Sequence, residues 1–208
     1  MSKKSTRSVS EVPGFGFQVF FTTEDGKPRM YRELNEVATT PAGEQEHRIY
    51  KLLEDNCNLR FCMDEKSEDF SFITLEHFVI FGLDSFGNCF GTIGNFGNIE
   101  DRVHPVGYVT KDGQCGKIAS YLKEFLELVN YYPYWREIIE YTRNEENYSV
   151  RDLENKYGMH TELYRENQLE ISQTLNLEKN DNSIELLLSN LSDDDQFIVF
   201  SHRYKNLL

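Results

Sequence analysis

Phe78-Val79-Ile80-Phe81-Gly82-Leu83, closed by Asp84-Ser85-Phe86-Gly87-Asn88 and answered by Cys89-Phe90-Gly91-Thr92-Ile93, decides the fold. The first segment ends the most apolar stretch of the chain, Phe70 to Leu83. Its aromatic and β-branched side chains suit a pleated, buried surface, so the stretch reads as a buried strand. Asp, Ser, Gly and Asn make the next five residues a turn. Cys89 to Ile93 then reads as the returning strand.

Working outward, Val103 to Thr110 is the next strand candidate, closed by Lys111-Asp112-Gly113-Gln114. Upstream, Phe15, Phe17, Val19 and Phe21 recur every second residue, the period of a strand with one apolar face. Asp25-Gly26 follows as a tight-turn signal, and Arg29 to Leu34 can return as a partner. Asn58 to Met63 is a short strand candidate. Residues 1–14 are polar and read as a flexible tail.

Helices are marked by caps and by the 3.6-residue period. Thr40-Pro41 reads as a helix start, with Ile49, Leu52 and Leu53 on one face. Ser120 is a candidate cap for a helix carrying Leu122, Phe125, Leu126 and Val129 at i, i+3, i+4 and i+7. Pro133 opens a further helix through Trp135, Ile138 and Ile139. Ser149 with Asp152, and Asn182 with Glu185, have capping-box spacing. Asp193-Asp194-Asp195 ends the last helical face, and Phe197 to Phe200 reads as a terminal strand. Strands come first and helices late, without a βαβ rhythm, which predicts an α+β fold. The expected organisation is a flexible tail (1–14), an α+β domain (15–143) and a mostly helical C-terminal extension packing on it (144–208).

The chain has 208 residues and a formal charge of −13. Such a charge argues against binding nucleic acid or an anionic membrane, both of which demand cationic contacts. It favours a basic protein partner and can speed encounter with one, and solubility accounts for it equally well. The start of the chain lacks an apolar segment of the targeting kind, and the longest uncharged run, Ser85 to Ile99, is broken by Gly and Asn. The expected location is the cytoplasm. Cys57, Cys62, Cys89 and Cys115 show no C-x-x-C spacing, and reduced thiols are the simplest account.

The motifs of catalysis are missing from the sequence. The glycines at 82, 87, 91, 94 and 97 have no G-K-[ST] after them and read as turns and bulges rather than a phosphate cradle. His47, His77, His104, His160 and His202 form no metal-ligand pattern, and there is no G-x-S-x-G. Neither a cofactor nor a metal is expected. Acids such as Asp84, Glu100, Asp101 and Asp112 are abundant, and solvated faces are their default. Tyr131-Tyr132-Pro133-Tyr134-Trp135 is dense in residues that anchor interfaces; Trp135 reads as a core plug, the tyrosines as open candidates. The candidate partner-binding set is Asp84, Phe86, Glu100, Asp101, Asp112, Tyr131, Tyr132 and Tyr134.

The stretch from Phe78 to Val129 resembles the SUKH superfamily, the SMI1/KNR4-like domains. The likeness is carried by Phe78-Val79-Ile80-Phe81-Gly82 with its turn and return strand, and by Pro105-Val106-Gly107-Tyr108-Val109 ending near Asp112-Gly113. It is also carried by Ile118-Ala119-Ser120-Tyr121-Leu122-Lys123-Glu124-Phe125-Leu126. That segment is similar to the family's I-A-x-S-F-x-x-F-L pattern, with Ser120-Tyr121 one position early. The resemblance implies a curved antiparallel sheet backed by helices. It also implies a binding role: an immunity protein that neutralises a basic toxin, a nuclease for example, with regulatory scaffolding as the alternative. It brings no catalytic residues. A hydrolase using paired carboxylates is the third reading left open by the composition.

Overall fold

The computed structural model describes residues 7–12, 15–22, 28–29, 35–40, 48–95, 97–158, 161–192 and 197–201. The fold is α+β. Its centre is an antiparallel meander of β8 (Phe78–Leu83), β9 (Cys89–Ile93), β10 (Val106–Val109) and β11 (Cys115–Ala119). Two short strands share the outer edge of β8. Ala38–Thr39 (β5) pairs with its first half and Arg60–Phe61 (β6) antiparallel with its second. The β5 pairing is parallel, a departure from the all-antiparallel sheet expected. It arises because α1 (Arg48–Cys57) intervenes between β5 and β6 and reverses the chain along one edge.

Strands β8 and β9 form an antiparallel hairpin. Both faces of this sheet are covered, which is why β8 reads as a continuous apolar run rather than an alternation. Phe81, Phe90, Tyr108 and Ile118 meet α1, α2 (Leu122–Tyr131) and α3 (Trp135–Arg143) on one face. Phe90 lies 5.3 Å from Phe125 and 6.0 Å from Trp135, ring centre to ring centre. Trp135 is core, as the sequence suggested. Phe78, Ile80, Cys89, Ile93 and Val109 meet Phe197 and Val199 on the other face. That layer is a small sheet of β4 (Asn35–Glu36), β7 (Phe72–Thr74) and β12 (Val199–Ser201) in the order β12-β7-β4. The apolar stretch from Phe70 is thus two strands in two sheets. Ladder irregularities between Ile80 and Gly82 and between Val106 and Gly107 bend the sheet. Gly91 is required: a Cβ there would stand 2.7 Å from the Phe78 ring and the Val79 carbonyl.

A separate antiparallel sheet joins β1 (Arg7–Val12), β2 (Phe15–Thr22) and β3 (Pro28–Arg29). The tail expected through residue 14 is therefore a strand from Arg7 to Val12, paired along β2. The Asp25-Gly26 turn, the rest of the strand expected to Leu34, and the Pro41 helix start lie outside the described residues, as do Asp193 to Asp195.

The last third packs on the same core through α4 (Val150–Tyr157), α5 (Glu162–Leu175) and α6 (Ser183–Ser192). Leu153, Ile171, Leu177, Ile184 and Leu187 belong to the cluster that holds Phe90 and Trp135. Buried Asn130 ties α2 to α5, donating to Ser172 Oγ at 2.9 Å while its carbonyl accepts from Gln168 Nε2 at 2.6 Å. Ser149 caps α4 through the Asp152 amide, as its spacing predicts. Ser120 does not cap α2. Tyr121 holds the N-cap position without a side-chain cap, and the Glu124 carboxylate accepts from the Ser120 amide at 2.9 Å.

Burial sets the alkaline limit of this fold. It pushes the Cys57 and Cys62 thiols from 9.0 up to about 12, and the Tyr134 hydroxyl from 10.0 up to about 12. Above pH 9 the unfolded chain then holds fewer protons than the folded one, so stability falls as pH rises from about 9 to about 12. The melting temperature should be flat to pH 8.5 and drop steadily to pH 11. Cys57, Cys62 and Cys89 should react with a thiol reagent at pH 8 only after denaturant unfolds the chain.

Candidate partner-binding site

In a meander, alternate turns lie at the same end of the sheet. The β8–β9 turn and the β10–β11 turn are therefore neighbours, and the structure joins them: Asn88 Oδ1 accepts from the Lys111 amide at 3.3 Å. The first turn is built on Asp84. Its Oδ1 accepts from the Phe86 and Asn88 amides, both at 3.0 Å, and its Oδ2 from Asn88 Nδ2 at 2.9 Å. Gly87 closes the turn at φ +85°, the left-handed region that glycine enters without strain. A fourth donor comes from α3, Arg136 Nε at 3.3 Å from Asp84 Oδ2. Arg136 also donates to the Asn58 carbonyl at 3.3 Å and stacks 4.3 Å over the Trp135 ring. Burial lowers the pKa of Arg136, and the Asp84 charge opposes that shift.

Phe86 stands on this fixed turn with 62% of its surface exposed. Asp112 is exposed on the neighbouring turn, which Thr110 closes through Gln114 at 2.7 Å. Behind the two tips lies a cleft of about 290 Å³ walled by Tyr108, Gln114, Trp135, Arg136, Glu140 and Arg143 among others. Arg143 crosses from α3 to the sheet and donates to Tyr108 Oη at 2.6 Å, Gln114 Oε1 at 2.7 Å and the Cys115 carbonyl at 2.9 Å.

Of the residues proposed from sequence, Asp84, Phe86 and Asp112 come together at this end. Asp84 does so from inside: its side chain has no exposed surface, so it shapes the tip and offers nothing to a partner. Glu100 and Asp101 lie in the β9–β10 connection at the other end of the sheet. There Asn98 Oδ1 accepts from both their amides and Asp101 Oδ1 accepts from the Val103 amide. The tyrosines are withdrawn from the surface set. Tyr132 and Tyr134 are buried, and half-buried Tyr131 donates within hydrogen-bond reach of Ser172 and Leu177. Tyr132 donates to the Asn180 carbonyl at 2.8 Å. These hydroxyls hold the C-terminal segment, which the sequence could not show.

Sequence reasoning missed Arg136 and Arg143. The signal was present: seven residues apart, they share a helix face with Ile139. Basic residues on an apolar stripe imply partners across the core boundary.

Among the described residues, no cluster of His, Cys, Asp and Glu is arranged to hold a metal ion, and no helix is long and apolar enough to cross a membrane. The two buried acidic residues are separately engaged, Asp84 as above and Glu124 by Ser120 and by Asn190 Nδ2 at 3.2 Å, while half-buried Glu137 has a buried Oε2 without a hydrogen-bond partner among the described residues. No family model, curated protein or solved structure matches the chain.

Removing Asp84 leaves a largely buried guanidinium without its counter-charge. Asp84→Ala should lower stability by about 3 kcal/mol, the usual cost of breaking a buried pair from one side. Urea unfolding measures this. Asp84→Asn, which keeps the turn's acceptor, should lose less.

Proposed function

We propose that the chain is a protein-binding module of the immunity type, which neutralises a basic toxin domain by covering it directly. The paired hairpin tips are its contact surface. The observation that carries this reading is Phe86: a large aromatic, mostly exposed, on a turn immobilised by four hydrogen bonds to one carboxylate. Single exposed apolar side chains are ordinary on protein surfaces. One held on a pre-ordered loop is different, because an anchor fixed in advance loses little entropy on binding. The net charge of −13 and the exposed Asp112 beside it support a basic partner.

The test is co-expression with toxin domains encoded beside this gene, followed by titration of the purified pair. Wild type should rescue growth and form a complex. Phe86→Ala should weaken that complex by about 2 kcal/mol, close to thirtyfold, with little change in melting temperature. Asp112→Lys should slow association and flatten its salt dependence. Failure of every neighbouring toxin domain to be neutralised would sink the reading, as would equal affinity of Phe86→Ala and wild type.

A further inference from the structure

The cleft behind the tips is lined by two guanidiniums, Arg136 and Arg143, and two carboxylates, Asp84 and Glu140. Asp84 already accepts four donors. The three acceptors that hold Arg143 are all neutral, and Arg143 pairs with no carboxylate among the described residues. A guanidinium can only donate, so Tyr108 Oη is the acceptor in their 2.6 Å bond. The Tyr108 proton therefore points elsewhere, and it has no acceptor among the described residues. Tyr108 is 6% exposed and lines the cleft. Trp135, buried in the same wall, has an Nε1–H without an acceptor among the described residues. Among the described residues, the lining carboxylate with no ion-pair partner is Glu140, exposed at the rim.

Buried donors without acceptors are costly, and a charge-assisted acceptor removes that cost most effectively. Arg143 is exposed and gives three of its five N–H groups to Tyr108, Gln114 and Cys115; the two that remain, with the Tyr108 O–H, suit an oxygen of a carboxylate or phosphate group. At about 290 Å³ the cleft is at the small end of ligand sites.

We propose that this cleft is an oxyanion subsite, in which a carboxylate or phosphoryl group is bound by Arg143 and the Tyr108 hydroxyl. The subsite stands apart from the role of Phe86, since its donors lie behind the tips rather than on them. Burial raises the Tyr108 pKa against the opposing pull of Arg143, which keeps the donor proton in place at neutral pH.

Trp135 is the sole tryptophan of the chain, so its fluorescence reports the cleft directly. The full chain is titrated with sodium phosphate and with sodium succinate, each against sodium chloride of equal ionic strength. A saturable change in Trp135 emission is expected for at least one of the two. The tighter probe tells a phosphoryl group from a carboxylate. Tyr108→Phe, which keeps the ring and deletes only the donor, should raise the midpoint about fivefold or more. Arg143→Gln should raise it at least about tenfold. Glu140→Gln should lower it by removing a negative charge from the rim of the cleft. Near-ultraviolet circular dichroism checks that each variant is folded. The proposal is overturned if neither probe differs from chloride, or if folded Tyr108→Phe and Glu140→Gln both keep the wild-type midpoint.

Discussion

The Asp84 carboxylate is the constraint on which the candidate site depends. A carboxylate removed from water is tolerated only if its oxygens are fully engaged. Here two donors come from its own turn, one from the Asn88 side chain and one from Arg136 on α3. Arg136 reaches on to the Asn58 carbonyl, and Asn58 Oδ1 accepts from the Ser85 amide at 2.9 Å. The end of α1, the β8–β9 turn and the start of α3 are thereby held in one body. A loop that would otherwise be a mobile hairpin tip becomes a rigid mount for Phe86.

A second constraint is that both faces of the meander need cover. The helical face is completed by Ile171, Ile184 and Leu187 of the last third, the other face by Phe197 and Val199. Residues after 144 are therefore structural to the sheet itself. Beside this apolar packing, Asn130, Tyr131 and Tyr132 at the end of α2 each place a hydrogen bond on the C-terminal segment. Polar bonds at a helix interface fix register in a way that interchangeable aliphatic contacts do not.

Much of this was legible in the chain. Period and composition located β8, β9, α2 and the Ser149 cap, because those features depend on residues within one turn or one strand of each other. The turn at Asp84 was legible for the same reason. What stayed hidden depends on distance along the chain. The Asp84–Arg136 pair spans 52 residues, and the Arg143–Tyr108 bond 35. The parallel β5 pairing requires knowing where α1 turns back. Tyr132 and Tyr134 were ambiguous because an aromatic body with a polar tip suits an interface and a core equally well. Only the position of Asn180 and the packing of α4 decide between the two. Asp84 was chosen from sequence as a surface charge. It belongs to the site, but as the residue that shapes it.

A strongly acidic chain with unmatched donors in its cleft is not a contradiction, because the two act over different lengths. Net charge works across the Debye length, about 8–10 Å at ordinary salt, and governs which molecules approach. Arg143 and Tyr108 work at hydrogen-bond contact, about 3 Å, and govern what fits once approach has occurred. A small free anion meets only the short-range donors after crossing an unfavourable field. A basic partner that carries one acidic side chain on its contact face meets attraction at both lengths. Partners that are basic everywhere would leave the cleft donors unmatched, and partners that are acidic everywhere would be repelled before contact. If tips and cleft met one partner, the arrangement would select for mixed charge of a particular layout, a discrimination that neither the net charge nor the cleft could provide alone.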